Sequence, residues 1–128
     1  MTVVERFLKL VSYPTTSDEA SETCPSTARQ FTLAQELVRQ MQDMGIADAR
    51  VDKDGYVYGT VPANCEKDIP VYGLIAHMDT SPAVSGADIH PEIVTYQGGD
   101  LPLKKAGSLK VKDFPFLERY IGQELIVT

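Results

Sequence analysis

A histidine and an aspartate two positions apart, His77 and Asp79 in "VYGLIAHMDTSPAVSGAD", are the residues of this chain best placed to do chemistry. An imidazole that binds zinc through one ring nitrogen needs the other held by a carboxylate or carbonyl, which fixes its tautomer and raises its basicity. On a strand, side chains two positions apart share a face, with Cβ atoms about 7 Å apart at a rise of about 3.3 Å per residue. Asp79 would then orient His77 or act on a neighbouring metal-bound water. The spacing alone fits equally a structural histidine bonded to a nearby carboxylate. Position favours the functional reading. The preceding run Val71, Leu74, Ile75, Ala76 predicts a buried strand over 70–76, central in its sheet, with the pair at its carboxyl end, where open α/β sheets place ligands.

The elements that would position this pair follow from periodicity. Val4, Phe7, Leu8 and Val11 recur at helical spacing, and Pro14 stops that helix. "PTTSDEASETCPST" has the composition of a loop, and Ser26 and Thr27 are placed to cap a second helix near 27–44. Its apolar stripe is Ala34, Leu37, Val38, Met41 and Met44, and Gly45 ends it in the left-handed conformation with Ile46 folding back. Asp54-Gly55 predicts a hairpin with strands near 49–53 and 56–61. "EIVTYQ" and "ELIVT" read as further strands whose register is not set by the sequence. Tyr56, Tyr58, Tyr72 and Tyr96 are expected to pack on strands. The chain ends on an apolar strand, either docked in the sheet or followed by more protein.

At 128 residues and 43% hydrophobic content the chain suits one domain with a real core. Its 18 acidic against 12 basic residues, without a basic cluster, argue against nucleic acid as a partner. "MTVVERFLKL" carries three charges where a signal peptide would be apolar, and no run has the length of a membrane span, so a soluble, cytoplasmic protein is expected. Cys24 and Cys65 fit neither a zinc-knuckle spacing nor a disulfide framework and are expected as thiols. His90, beside Pro91 in a polar loop, is expected to be solvated, and Asp88 to turn or cap its loop.

"HMDTSPAVSGAD", leading to His90-Pro91-Glu92-Ile93-Val94, closely resembles peptidase T, the tripeptide aminopeptidase family among the co-catalytic di-zinc exopeptidases. The resemblance runs along the chain through "VSYPTTSDEA", "CPST" and "MGIADARVDKDGYVYGTVPAN". It implies an α/β fold, a three-layer zinc-exopeptidase-like catalytic domain with helices packed on a mixed sheet. Residues 1–128 would be its N-terminal portion, without the lid or dimerisation domain. By the same resemblance His77 is the first zinc ligand, and Asp79 is the catalytic aspartate that supports the metal site. Two zinc ions about 3.5–4 Å apart would serve the intact enzyme. Its substrate would be a tripeptide with a free N-terminus, and homo-oligomers would form through regions not present here. The bridging aspartate, the general-base and ligand glutamates, a further acidic ligand and a late histidine have no match, so the chain itself is expected to be inactive. Two other readings stay open: a related di-zinc deacylase or dipeptidase, and a noncatalytic α/β interaction domain in which His77 is structural.

Overall fold

The Thr2 side chain accepts the Glu5 amide at 3.2 Å while the Glu5 carboxylate accepts the Thr2 amide at 2.7 Å, a reciprocal cap that satisfies two otherwise unpaired donors. Helix α1, Val3–Leu10, starts from it. The bonds from Thr2, that from its backbone first, hold the Glu5 carboxyl below its ordinary value. The computed structural model describes all residues, Met1–Thr128, and they fall into two compact units, Met1–Asp88 and Ile89–Thr128. The chain has the mixed α/β composition expected, built from two helices and short antiparallel ladders. No helix is long and apolar enough to cross a membrane.

In the first unit α2, Gln30–Asp43, is the longest element. It begins at Arg29 without a side-chain cap, later than the sequence predicts, because the expected capping hydroxyls are spent elsewhere. Ser26 Oγ accepts the Asp18 amide at 3.1 Å, and Thr27 Oγ1 donates to the Thr16 carbonyl at 3.1 Å. Both also accept from Gln30 Nε2. Leu33 and Ala34 are buried; Leu37, Val38 and Met41 are half-buried, whereas Met44, at the end of the expected stripe, is exposed. The termination is as predicted. Gly45 has φ +90°, its amide donates to the Gln42 carbonyl, and the Ile46 amide returns to the Met41 carbonyl at 3.0 Å.

Helix α2 packs on the hairpin formed by β1, Arg50–Val51, and β2, Val57–Tyr58, in antiparallel register Arg50↔Tyr58 and Val51↔Val57. The strands are shorter than predicted because the Asp52 carboxylate organises the turn, accepting the amides of Asp54 and Tyr56 at 3.0 and 2.9 Å. Tyr56 and Tyr58 are exposed rather than packed.

The strand expected over 70–76 does not form, and this corrects the reading of His77 as the last residue of a buried strand. Val71 and Ile75 are 100% exposed, and Tyr72 and Leu74 nearly so. A strand apolar on both faces needs ladder partners at its edges and cover on both faces. In this unit the ladders are β1–β2 and a single bridge between Thr16 and Thr80, and neither engages 70–76.

In the second unit β3, Glu92–Thr95, pairs antiparallel with β6, Glu124–Val127, from Glu92↔Val127 to Thr95↔Glu124. Alternation turns Val94, Leu125 and Val127 toward a core of Tyr96, Leu101 and Leu117 and leaves Ile93 and Ile126 outside. A second hairpin, β4, Leu101–Leu103, with β5, Gly107–Leu109, was not legible because Pro102 argues against a strand. A two-stranded ladder tolerates the proline, since both of its strands are edges. A 3-10 helix, Pro115–Tyr120, carries Leu117 into the core.

One charged group ties α1 to α2. Glu36 accepts from Arg39 at 2.7 Å, Lys9 at 2.6 Å and Gln40 at 2.7 Å, and buried Gln40 accepts from Arg6 at 2.9 Å. These bonds, the one from Arg39 foremost, hold the Glu36 carboxyl well below the usual carboxylate range. A carboxyl depressed in the folded state adds stability that is full above its unfolded value of about 4.3 and fades as pH falls below it. The thermal midpoint of Glu36→Gln should therefore lie below that of the native chain at pH 7, with the gap closing as pH is lowered through 4. A gap constant across that range would show that the charge has no part in it. Gly45→Ala should cost about 1–2 kcal/mol, because an added Cβ meets no neighbour but strains the left-handed backbone. Urea unfolding reads this as a lower midpoint at unchanged slope; an unchanged midpoint would refute it.

Candidate functional site

The His77–Asp79 pair is held by the residue that follows it. The Thr80 amide donates to the Thr15 carbonyl at 3.2 Å, and the Ser17 amide donates back to the Thr80 carbonyl at 3.0 Å, a one-residue parallel bridge. Ser17 Oγ donates to the same carbonyl at 3.1 Å. Thr15 is buried, so the bridge has one foot inside the unit.

His77 Nδ1 lies 2.9 Å from the Asp79 carbonyl oxygen and 3.1 Å from Asp79 Oδ1. Both partners are acceptors when the carboxylate is ionised, so this geometry favours the neutral tautomer with its proton on Nδ1 and its lone pair on Nε2. The side chain is 85% exposed. The expected pairing of His77 with Asp79 is present, but on irregular backbone that brings the ring onto the carboxylate, where a strand would hold their Cβ atoms about 7 Å apart.

The pair borders a groove of about 760 Å³ between Leu37 and Met41 of α2, Tyr58 of β2, and the extended residues Leu74 and Ile75. Cys24 lies in its wall, its thiol 3.5 Å from the Asp54 carbonyl. Both cysteines are exposed free thiols. His90 is exposed in the other unit, and Asp88 takes φ +58°, consistent with its expected place in a turn. No three His, Cys, Asp or Glu side chains come close enough together to hold a metal ion. The geometry offers one open imidazole nitrogen with an orienting carboxylate, and no three-ligand set around it.

Thr15, Thr16, Ser17 and Gly86 gather around Thr80, the residue after the pair, and were not singled out as site residues by the sequence. Their signal was present only as strings, "YPTTSDEA" and "TSPAVSGAD", whose meeting in space no local pattern reveals.

No protein-family model matches the chain. Comparison with curated proteins finds relatives named peptidase T. The chain matches the N-terminal part of peptidase T. The Clostridium novyi peptidase T is 49% identical over 129 residues, covering 98% of this chain and 32% of the relative. That of Geobacillus sp. is 46% identical with the same coverage, and that of Parabacteroides distasonis 44% identical over 100% of the chain and 32% of the relative. The chain spans about a third of the length of the curated relatives it matches.

One nitrogen and an adjacent carboxylate fall short of the three protein ligands usual for a catalytic zinc. Metal-stripped chain dialysed against excess zinc should therefore retain no two-metal centre and release no amino acid from a tripeptide. Two tightly bound ions per chain, or zinc-dependent turnover, would overturn that expectation.

Proposed function

We propose that this chain forms the N-terminal part of the catalytic domain of a zinc-dependent aminopeptidase that releases the first residue of tripeptides. The observation that carries the proposal is the His77 ring, held at Nδ1 by Asp79 with Nε2 open, in a chain of which 98% matches about a third of peptidase T. In this reading His77 supplies one zinc ligand. Asp79 keeps the proton on Nδ1 and sets the direction of the Nε2 lone pair. The residues present fit one ligand with its orienting partner, and the other ligands would come from outside these residues. When bound, zinc polarises a carbonyl and lowers the pKa of its water.

The three-layer arrangement belongs to the same proposal. Its support is α2 packed on the β1–β2 hairpin, with an apolar segment over 70–76 that has the composition of a further strand. A cytoplasmic location is part of the same proposal. Assembly into homo-oligomers is proposed on the family resemblance alone. Nucleic acid and membranes are not proposed as partners, given the net charge of -6 and the absence of a membrane-length apolar helix.

The test is a chimera in which this chain replaces the matching third of the Clostridium novyi peptidase T. It should release the N-terminal residue of a tripeptide in a zinc-dependent manner. His77→Ala in the chimera should lose zinc and most activity. Asp79→Asn should keep much of its zinc and turn over about 10- to 100-fold more slowly, the range typical of groups that orient a ligand. A folded His77→Ala chimera with native zinc content and activity would refute the assignment. Equal, near-complete zinc loss in both variants would make Asp79 a ligand.

A further inference from the structure

The peptide unit between Asp79 and Thr80 carries two hydrogen bonds on opposite edges. Its carbonyl accepts from His77 Nδ1 at 2.9 Å, and its N–H donates to the Thr15 carbonyl at 3.2 Å. The only cis bond in the chain is Cys24-Pro25, so this unit is trans, and its C=O and N–H lie in one rigid plane pointing opposite ways. Whatever fixes the N–H therefore aims the carbonyl. On the next unit, the Thr80 carbonyl is fixed by the Ser17 amide and hydroxyl. Thr80 is thus gripped on both sides by Thr15 and Ser17.

The grip is itself backed. Thr16 stands between its two gripping neighbours, its carbonyl taken by Thr27 Oγ1 just ahead of α2 and its hydroxyl 3.4 Å from that of Thr80. Gly86 closes against both hydroxyls. A Cβ there would sit 2.7 Å from Thr16 Oγ1 and 2.8 Å from Thr80 Oγ1, closer than real Cβ contacts come. With both hydroxyls in place, a side chain at 86 would force them to move before the 81–88 loop could lie on the bridge.

We propose that Thr15–Ser17, acting through the Thr80 peptide and backed by Gly86, is the positioning element that selects the His77 tautomer with the proton on Nδ1. The tautomer claim stands on this geometry. Its value for metal binding rests on the proposed role of His77. The Asp79 carboxylate is the farther of the two acceptors; the nearer, the Asp79 backbone carbonyl, is oriented from the far side of its own peptide plane.

The experiment uses the 128-residue chain, labelled with nitrogen-15 at histidine, at a pH raised until the ring shifts no longer change, so that the rings are neutral. Ring nitrogen shifts report which nitrogen bears the proton, and His90 serves as an internal reference. His77 should be predominantly Nδ1-protonated in the native chain. Gly86→Ala should convert it to a mixture dominated by the Nε2–H form while the backbone amide spectrum of α2 and the β1–β2 hairpin stays native. Adding Thr16→Ala and Thr80→Ala to Gly86→Ala removes both clashing hydroxyls, leaves the backbone bonds available and should restore the Nδ1–H form. An unchanged tautomer in Gly86→Ala would overturn the proposal, as would failure of the triple variant to restore it. Either failure would leave the aminopeptidase reading intact, and a chimera that binds no zinc would sink that reading without touching the tautomer result.

Discussion

Two stretches of chain more than sixty residues apart meet at Thr15–Ser17 and Thr80, and the arrangement of the first unit depends on that exchange of backbone hydrogen bonds. The loop between α1 and α2 is long and polar, and by composition alone it would wander. It is fixed at one end by the bridge and at the other by Ser26 and Thr27, whose hydroxyls reach back to residues 16 and 18. Diverting those hydroxyls moves the start of α2 to Gln30, so the loop's order and the helix's late start are one event. The same bridge is what the chain beyond His77 rests on.

The features legible in the sequence are those decided within a few residues. The Gly45–Ile46 helix ending is written in adjacent positions, and the Asp54-Gly55 turn is nearly so, although the strands that flank it are shorter than their composition promised. His77 and Asp79 were legible as partners for the same reason: at a separation of two, many backbone conformations let imidazole meet carboxylate. The conformation itself was not legible. Strand formation over 70–76 depends on neighbours distant in sequence, and apolar composition states only that such neighbours would be welcome. The β4–β5 hairpin failed in the opposite direction, since a proline that weighs against a strand locally is harmless at an edge.

The two ways in which this chain uses polar side chains contrast. Around Glu36, charge does the joining: Lys9 arrives from α1, and Arg39 and Gln40 from α2 itself, so the contact answers to pH and salt. Around Thr80 every partner is neutral, a carbonyl, an amide or a hydroxyl. Such a bridge holds its geometry across the pH range in which a histidine changes its charge, which suits a support placed directly behind an imidazole.

The bare segment Val71–Ile75 has a consequence for how these molecules behave together. Amides and carbonyls without a ladder partner, flanked by apolar side chains open to solvent, are groups onto which another chain can add. Pro70 at its head and Gly73 within it interrupt that addition, and the net charge of -6 keeps copies apart at low salt. Raising the ionic strength screens the charge and leaves the two interruptions as the only brake, so colloidal stability in this chain is a matter of salt as much as of concentration.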